Sequence, residues 1–321
     1  MNIENEPLQI TFQDYQQCSF IKKVQRLVKH QDTCLEKNLK KKLEAKPLFL
    51  YNLYMKFNPK AFFIDLDGTA FDTKVDGHHA ISEENKKAII EINKKTPVII
   101  STGRHVKNAL PLIQELGLKY AVCQNGAQIV DIEGNIIEKH NFPGPIAERI
   151  LKIMMKNKMM IKPNDDGIFY GARFPYGMIT RHVGFKTHRK YDFEHTKEFT
   201  KLVFSGAGKK KISKLNEELS EQFPSLSIVT SGNGYTIEVT SGEATKGQAN
   251  VAVAKLLGVD PMKTAHIGDS MNDSTCKDKT MLVAMANSNP KLIEMADWIG
   301  PSYKPAGLAK VLLNKEVKEN K

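Results

Sequence analysis

The sequence AFFIDLDGT, residues 61–69, decides the fold. Its first four residues form an unbroken apolar run, which is typical of a short strand buried on both faces of a sheet. Two acids, Asp65 and Asp67, follow where the strand ends, and Gly68 permits a tight turn between strand and loop. In open α/β sheets, ligands bind at the carboxyl ends of the strands, so this stretch indicates a functional loop.

Working outward, three further apolar runs also end in small polar residues. The runs are PVII at 97–100, YAVC at 120–123 and TAHI at 264–267. A fourth run, MLVAM at 281–285, completes the set. Repeated short runs of this kind predict parallel strands rather than the alternating strands of an exposed sheet.

Segments with apolar residues at helical spacing separate these strands. They cover residues 82–95, 105–116, 244–257 and 290–296. Ser82 is a suitable N-cap, and Gly117 is a suitable C-terminal stop. The alternation of strand and helix predicts an α/β fold with a doubly wound parallel sheet.

Residues 141–240 interrupt that rhythm. This segment mixes two helical patterns with several short strands, which predicts an inserted α+β cap. Its stretch from 174 to 195 is aromatic and basic, and its pattern favours neither helix nor strand. We therefore expect a catalytic core from residues 59–140 and 241–321, a cap at 141–240, and a helical extension at 1–58.

Bulk properties exclude several classes of protein. The chain has 321 residues and is 41% hydrophobic, which is enough for a packed core and argues against wholesale disorder. No apolar run approaches the roughly 20 residues needed to cross a bilayer, and the N-terminus does not resemble a signal peptide. Four scattered cysteines without a CxxC pair argue against a zinc site or a disulfide framework and are typical of a cytoplasmic protein.

The net charge of +11 is unevenly distributed. Residues 1–60 carry 11 basic and 6 acidic residues, residues 141–240 carry 16 and 10, and the remainder is neutral. The extension has amphipathic helical spacing, and nucleic-acid binding is the less favoured reading because acids are interleaved with its basic residues. A basic cap over a neutral core suits an anionic small molecule through electrostatic steering.

Paired carboxylates carry the chemistry. Asp65 and Asp67 can serve as a nucleophile and a general acid/base, which are the two roles that phosphoryl transfer through an aspartyl phosphate needs. Asp269 and Asp273, in the sequence GDSMND, supply the hard oxygen ligands that suit Mg²⁺. Either pair alone is also compatible with an ordinary helix cap.

Two further signals fit a phosphate site. Thr102 and Gly103 follow a strand, where a hydroxyl can donate to phosphate and a glycine allows close approach of the backbone. Lys246 precedes Gly247 near the start of a helix, where an ammonium can neutralise anionic charge. A lone lysine in a lysine-rich chain is usually a surface residue. Lys246 is therefore a candidate site residue only in combination with the other motifs.

The order of these motifs resembles that of the haloacid dehalogenase superfamily. DLDGT, STGR, a long insertion, TKG and GDSMND follow one another here as in its Cof-type phosphatases, which carry a large α/β cap. The resemblance covers residues 60–315 and includes QNGA at 124–127 and AMANSNP at 284–290. It implies a doubly wound core, a specificity-determining cap and Mg²⁺ as cofactor.

The resemblance also implies residue roles. Asp65 is the nucleophile and a metal ligand, and Asp67 is the general acid/base and gives a backbone oxygen to the metal. Thr102 and Lys246 hold the phosphoryl group, Asp269 is a metal ligand, and Asp273 is a ligand or lies beside the ligands. The remaining residues expected at the phosphate or substrate are Gly68, Thr69, Gly103, Arg104 and Asn272.

These features predict a Mg²⁺-dependent phosphatase that acts on a small phosphorylated metabolite, such as a sugar phosphate or a phosphorylated cofactor. A phosphotransferase or phosphomutase on the same fold is the alternative within enzymes. A nucleic-acid or partner-binding protein that uses the basic N-terminal helices is the alternative from a different class.

Overall fold

The structure is a computed structural model that describes residues 57–164, 167–192 and 198–320. The predicted extension, residues 1–58, lies outside this part of the chain except for its last two residues. The strands are β1 (Phe62–Ile64), β2 (Thr73–Val75), β3 (His78–Ala80), β4 (Val98–Ser101), β5 (Tyr120–Cys123), β6 (Gln128–Asp131), β7 (Ile136–Lys139), β8 (Met160–Pro163), β9 (Ile168–Phe169), β10 (Lys186–Thr187), β11 (Lys201–Ser205), β12 (Leu226–Ser231), β13 (Thr236–Ser241), β14 (Ala265–Gly268), β15 (Met281–Ala284), β16 (Trp298–Ile299) and β17 (Lys318–Glu319). The helices are α1 (Glu83–Asn93), α2 (Val106–Leu116), α3 (Gly144–Lys156), α4 (Tyr176–His182), α5 (Lys209–Gln222), α6 (Lys246–Leu256), α7 (Pro290–Met295) and α8 (Gly307–Leu312). None of the described helices is long and apolar enough to cross a lipid bilayer.

The larger sheet has nine strands in the order β17-β16-β15-β14-β1-β4-β5-β6-β7. Strands β16 to β5 in that order run parallel, and β17, β6 and β7 are antiparallel to their neighbours. The prediction of an α/β fold with a large parallel sheet is therefore confirmed. From β1 the chain moves outward through β4 and β5 and then returns to the other side of β1 with β14, so the strand order switches beside β1.

The parallel strands are covered on both faces. Phe63 and Ile99 pack against Val253 and Ala254 of α6 on one face. Ile64, the next residue along β1, is also fully buried, although successive side chains of a strand point to opposite faces. Burial on both sides explains why the strand is an unbroken apolar run in the sequence.

The helix boundaries follow local capping signals. Ser82 Oγ accepts a hydrogen bond from the backbone N–H of Asn85 at 3.3 Å, and Glu83 and Glu84 lie in the first turn of α1. Gly117 ends α2 with a φ of 64°, which a residue without Cβ adopts at little cost. The observed ends of these two helices lie within two residues of the predicted ones.

A second sheet forms within residues 142–241, a segment that we call the insert. Its four strands have the order β12-β13-β11-β8 and are antiparallel. Helices α3 and α5 cover one face, where Ile150, Leu215 and Phe204 belong to one buried apolar cluster. The chain enters the insert after β7 and returns to the larger sheet before α6. Two chain connections therefore link the insert to the rest of the fold.

The stretch from 174 to 195 contains elements that the sequence does not indicate. Helix α4 and the short strand β10 lie there. In α4 only Gly177 is buried, and Met178 and Ile179 are about half exposed. A helix whose apolar residues face outward has no stripe facing a core, which is why periodicity does not reveal it.

Candidate active site

Three loops at the switch point bring the candidate residues together. Asp65 directly follows β1, Thr102 follows β4, and Asp269 follows β14. Because β4 and β14 flank β1 and run parallel to it, their carboxyl ends meet at one edge of the sheet. The geometry therefore joins residues that lie more than two hundred positions apart in the sequence.

Lys246 lies at the centre of the site and is fully buried. Its Nζ donates to Oδ1 of Asp65 and to Oδ1 of Asp273, each at 2.7 Å. Burial disfavours the charged ammonium, but Asp273 and Asp65 together raise its pKa above the ordinary value. The lysine that the sequence could not distinguish from a surface residue is a buried cation between two carboxylates.

Asp273 is saturated with hydrogen bonds. Its Oδ1 accepts from Lys246 and from Nε2 of His266 at 2.7 Å, and its Oδ2 accepts from the backbone N–H groups of Asp269 and Ser270 at 3.1 and 2.9 Å. Burial opposes ionisation, but Lys246 and the His266 hydrogen bond hold the pKa of Asp273 well below its usual range. Asp273 thus remains a carboxylate whose four main acceptor sites are occupied.

His266 supports this arrangement from β14 and was not expected from the sequence. Burial lowers its pKa, so the ring is neutral and carries one N–H. That N–H is assigned to Nε2 because the Asp273 carboxylate only accepts, while Nδ1 accepts from Nδ2 of Asn250 at 3.0 Å. Asn250 in turn accepts from Ser101 Oγ at 2.9 Å. Buried hydrogen bonds from Ser101 through Asn250 and His266 therefore orient Asp273.

Asp65, Asp269 and Asp273 form a cluster with one ligand atom each, all within 4.8 Å of one another. Burial is the main cause that raises the pKa of Asp65 well above its usual range, and Asp273 and Asp269 raise it further against the opposing effect of Lys246. Burial and then Asp273 raise the pKa of Asp269 to about 7. Clustered carboxylates of this kind are stabilised in the ionised form by a cation.

Asp67 lies outside that group of three carboxylates, and its side chain is more than half exposed. Arg104 binds it in a bidentate manner, with Nε to Oδ2 at 2.8 Å and Nη2 to Oδ1 at 2.7 Å. The Arg104 guanidinium also lies over the ring of Phe71 at 4.6 Å. The structure thus pairs Arg104 with the proposed acid/base residue, a contact that the sequence does not reveal.

Gly68 is required by close packing as well as by conformation. Its φ is +75°, and a Cβ at this position would lie 2.1 Å from Oδ2 of Asp269. Its carbonyl accepts a hydrogen bond from Nδ2 of Asn287 at 2.9 Å. Thr69 follows, and its Oγ1 is one of the buried side-chain oxygens of the described residues that have no hydrogen-bond partner. Gly68 therefore brings the first loop against the Asp269 carboxylate.

In the loop that contains Thr102, three consecutive residues have hydrogen-bonded carbonyls. The carbonyls of Thr102 and Arg104 accept from the backbone N–H groups of Asn125 and Gln124 at 3.0 and 2.9 Å. The carbonyl of Gly103 accepts from Nζ of Lys201 in the insert at 2.8 Å. The Thr102 hydroxyl oxygen accepts from the backbone N–H of Arg104 at 3.2 Å, which leaves its hydrogen as a donor.

Asn272 is linked to the loop after β5. Its Nδ2 donates to Oδ1 of Asn125 at 3.0 Å, and its Oδ1 accepts from Ser270 Oγ at 2.7 Å. Asn125 is buried and has a φ of 60°, and the preceding Gln124 has a φ of 51°. Two consecutive residues other than glycine in the left-handed region are uncommon, although asparagine is one of the residue types enriched there.

The family model of haloacid dehalogenase-like hydrolases matches residues 62–312. This chain belongs to the haloacid dehalogenase-like hydrolase family. It is 27% identical over 256 residues to 5-amino-6-(5-phospho-D-ribitylamino)uracil phosphatase YcsE of Bacillus subtilis, a match that covers 79% of this chain and 94% of the relative. It is 25% identical over 241 residues to HMP-PP phosphatase of Serratia proteamaculans, covering 71% of this chain and 84% of the relative.

Solved structures agree on the fold of this haloacid dehalogenase-like hydrolase. BT1666 from Bacteroides thetaiotaomicron superposes with a TM-score of 0.69 at 20% identity, covering 82% of this chain and 97% of that chain. A haloacid dehalogenase-like hydrolase from B. subtilis gives 0.67 at 24% identity, covering 79% and 99%. The family model and the named relatives confirm the prediction of a phosphatase of the haloacid dehalogenase type.

Proposed function

We propose that this chain is a Mg²⁺-dependent phosphatase that hydrolyses small phosphate monoesters through an aspartyl phosphate on Asp65. The observation that carries this proposal is the buried Asp65 carboxylate, held at 2.7 Å by Lys246 beside the carboxylates of Asp269 and Asp273. A carboxylate fixed beside a cation, at the carboxyl edge of the sheet, is placed to attack an incoming phosphorus atom. The relatives named as phosphatases of small phosphorylated molecules support the same reaction class.

Mg²⁺ fits the carboxylate cluster. The raised pKa values of Asp65 and Asp269 reflect buried carboxylates without enough compensating charge, and hard oxygen ligands are those that Mg²⁺ prefers. Asp65, Asp269 and the backbone carbonyl of Asp67 would hold the ion. Asp273, whose oxygens already accept four hydrogen bonds, would instead hold Lys246 and the loop after β14. When bound, the ion supplies positive charge that offsets the charge of the phosphoryl oxygens.

In the first step a carboxylate oxygen of Asp65 forms a bond to phosphorus while the bond between phosphorus and the ester oxygen breaks. Asp67, in its protonated form, gives its proton to the departing alkoxide oxygen. The Thr102 hydroxyl and the Lys246 ammonium donate hydrogen bonds to the transferring group. An incoming phosphate offers Arg104 a second anionic partner, which frees Asp67 from its bidentate pair.

In the second step a water molecule attacks the aspartyl phosphate. Asp67, now a carboxylate, takes a proton from that water as the new bond to phosphorus forms. The bond between phosphorus and the Asp65 oxygen breaks, so inorganic phosphate leaves and Asp65 regains its carboxylate. Asp67 is again protonated and is ready for the next turnover. Gly68, Thr69, Gly103 and Asn272 complete the phosphate pocket in this proposal.

We assign residues 59–140 and 241–321 to the catalytic core and residues 141–240 to a cap that selects the substrate. The insert contacts the Thr102 loop through Lys201, which supports this division. A cap that closes on the loops excludes water and completes the site. The substrate class is a small phosphorylated metabolite, as with the HMP-PP phosphatase relative and the sugar phosphatase BT4131, which has a TM-score of 0.66 at 18% identity, covering 79% of this chain and 98% of that chain.

The test is release of inorganic phosphate from p-nitrophenyl phosphate, with and without Mg²⁺, for the wild type and for Asp65→Asn. We expect activity that requires the ion and that falls by about a thousandfold or more in Asp65→Asn, because the amide is a poor nucleophile. A panel of sugar phosphates and phosphorylated cofactors then identifies the preferred leaving group.

The matched control is Asp260→Asn, the same substitution at the cap of a short turn before β14. It should retain wild-type turnover. Turnover without any divalent ion, or full activity in Asp65→Asn, would contradict the mechanism. Transfer of phosphate to a second sugar in place of water would instead identify a phosphotransferase.

A further inference from the structure

Four side chains form a continuous hydrogen-bonded path from the insert to the catalytic loops, and we call it the insert–core bridge. It consists of Lys201 and Glu238 from the insert and Asn125 and Asn272 from the core. Lys201 Nζ contacts Glu238 Oε2 at 2.9 Å, Asn125 Nδ2 donates to the same oxygen at 2.5 Å, and Asn272 Nδ2 donates to Asn125 Oδ1 at 3.0 Å. No step of the proposed mechanism uses Lys201, Glu238 or Asn125.

The sheet of the insert dictates the charged half of the bridge. Val203 of β11 pairs with Glu238 of β13, and Lys201 lies two residues before Val203 on the same face. Lys201 and Glu238 are therefore diagonal neighbours, close enough for long side chains to pair. Ser231 Oγ donates to the other oxygen of Glu238 at 2.8 Å, which fixes its orientation.

Both ends of the pair reach the catalytic loops. Lys201 is 2% exposed, and its ammonium also donates to the carbonyl of Gly103 at 2.8 Å, between Thr102 and Arg104. Glu238 holds Asn125, whose backbone N–H donates to the carbonyl of Thr102. One ion pair of the insert thus contacts the loop after β4 directly and through the loop after β5.

Asn125 extends the bridge to the third loop. Its Oδ1 accepts from Asn272, which lies between Asp269 and Asp273 in the sequence. Asn125 Oδ1 would also lie 2.8 Å from a Cβ at position 103, so the residue there must be glycine for the two loops to approach. The same amide therefore sets the spacing of the loops after β4 and β14.

The distribution of charge suits a contact that opens and closes. Both charged members belong to the insert, and the core contributes only a carbonyl and two amides. Separation of the insert from the core would leave the ion pair intact on the insert. The core groups that lose a partner, the Gly103 carbonyl and the Asn125 amide, are neutral. A bridge whose charges lay on opposite sides would require the separation of a buried pair, which is far more costly.

We propose that Lys201 and Glu238 are positioning residues that align the Thr102 and Asn272 loops when the insert docks on the core. The expected loss of kcat rests on the proposed phosphatase function, whereas the alignment of the loops does not. Docking of the insert and assembly of the phosphate site are then one event. A substrate that fits beneath the insert is turned over because its binding favours the docked arrangement.

The kinetic test uses Lys201→Met and Lys201→Arg with p-nitrophenyl phosphate and Mg²⁺. We expect Lys201→Met to lower kcat about tenfold or more with a smaller change in KM, because the loop is misplaced in the transition state. Lys201→Arg keeps a cationic donor and should restore kcat to within about threefold of the wild type. Glu238→Gln is a milder second variant, for the case in which Lys201→Met does not fold. Lys214→Met, on the exposed face of α5, is the control and should match the wild type.

Coupling within the bridge is tested by Asn125→Ala combined with Lys201→Met. Residues that act through one path show non-additive effects, so the double variant should lose little more activity than the worse single variant. A purely structural Lys201 would lower the melting temperature, leave kcat unchanged and show additive effects with Asn125→Ala.

Hydrogen exchange tests the bridge independently of any substrate. The Gln124 and Asn125 amides, which donate to the Arg104 and Thr102 carbonyls, should exchange faster in Lys201→Met, while those of α6 should keep wild-type rates. A kcat of Lys201→Met within twofold of the wild type, or unchanged exchange at these two amides in that variant, would overturn the inference. Failure of the wild type to hydrolyse any phosphate ester would reject the proposed function alone. The hydrogen-exchange rates would then decide whether Lys201 aligns the loops.

Discussion

Asp273 shows how a buried acid can organise a loop through its hydrogen bonds. Four donors surround its carboxylate, two of them backbone N–H groups and two the side chains of Lys246 and His266. The residue is fully buried, so the pair with Lys246 is shielded from solvent. Its neighbour Gly268 has no room for a Cβ, which would lie 2.3 Å from Cγ of Asp273. The sequence shows an acid at this position, and the structure shows an acid that organises the loop.

At this scale we predict that Asp273→Asn lowers the free energy of unfolding by about 3–5 kcal/mol, because it leaves Lys246 without one of its two anionic partners in a buried site. Urea denaturation followed by circular dichroism measures the change. The matched control is Asp67→Asn, in the same site but at an exposed carboxylate, and it should cost less than about 1 kcal/mol. An equal cost for the two variants would mean that the Asp273 network does not stabilise the fold.

Turns and loops, at the scale of elements, decide whether the catalytic residues meet. The loop after β1 approaches the loop after β14 only because Gly68 has no side chain. The loop after β5 performs a similar function for β4, since its backbone binds two carbonyls of the Thr102 loop. Gly126 in that loop lies against Thr245, the N-cap of α6, where a Cβ would be 2.3 Å from the Thr245 carbonyl oxygen. Backbone contacts between loops thus position the residues on both sides of the proposed phosphate pocket.

We predict that Gly68→Ala reduces kcat/KM about a hundredfold, because Asp269 must move away from the new methyl group. Gly77→Ala in the β2–β3 turn is the matched control. Its φ of +80° imposes the same left-handed strain, but no atom lies within 4 Å of its Cβ. Both variants should lose about 1–2 kcal/mol of stability, and only Gly68→Ala should lose activity. Equal kinetic losses would show that strain, and not the approach to Asp269, is responsible.

At the scale of the whole molecule, the insert and the core differ in net charge. The segment 141–240 carries an excess of six positive charges, while residues 61–140 and 241–321 together are neutral. Within the neutral core, three carboxylates lie together at the switch point of the sheet, and two of them, Asp65 and Asp269, have raised pKa values. The fold therefore gathers negative charge in one buried place beneath a basic insert, an arrangement that suits a cation and a phosphate together.

This arrangement predicts a pH-dependent effect of Mg²⁺ on stability. With its pKa raised to about 7, Asp269 keeps a proton in the folded chain that it releases in the unfolded chain between about pH 4 and pH 7. The contribution of Asp269 to the free energy of unfolding should therefore fall by about 2–4 kcal/mol as the pH rises through this interval without divalent ions. Mg²⁺ competes with protons for the carboxylate, so it should raise the melting temperature more at pH 7.5 than at pH 5.

Thermal unfolding at both pH values, with Mg²⁺ or with EDTA, measures the effect. Asp269→Asn should reduce both the pH dependence and the Mg²⁺-induced shift. A shift of equal size at the two pH values, or one that persists in Asp269→Asn, would contradict the assignment of this carboxylate to the ion.

The sequence alone determined the α/β class, five of the six parallel strands that the structure describes and the order of the motifs; the two-residue strand β16 is too short for an apolar run to reveal it. It did so because buried strands must be apolar along their whole length and because caps and glycines mark the ends of helices locally. Helix α4 escaped prediction because its apolar residues face outward. The family match to residues 62–312 confirms what the order of motifs predicted.

Only the tertiary structure decided which polar residues share a site and what each one binds. Lys246 and Lys201 look like surface lysines in a lysine-rich chain, yet both are buried against carboxylates. The partners of Lys246, Asp65 and Asp273, lie 181 and 27 positions away, and the partner of Lys201 lies on a neighbouring strand. His266, Asn125 and the pairing of Arg104 with Asp67 likewise depend on contacts between loops. The physical reason is that local sequence fixes backbone conformation through nearby atoms, whereas burial and charge pairing depend on strands that come together only when the sheet is complete.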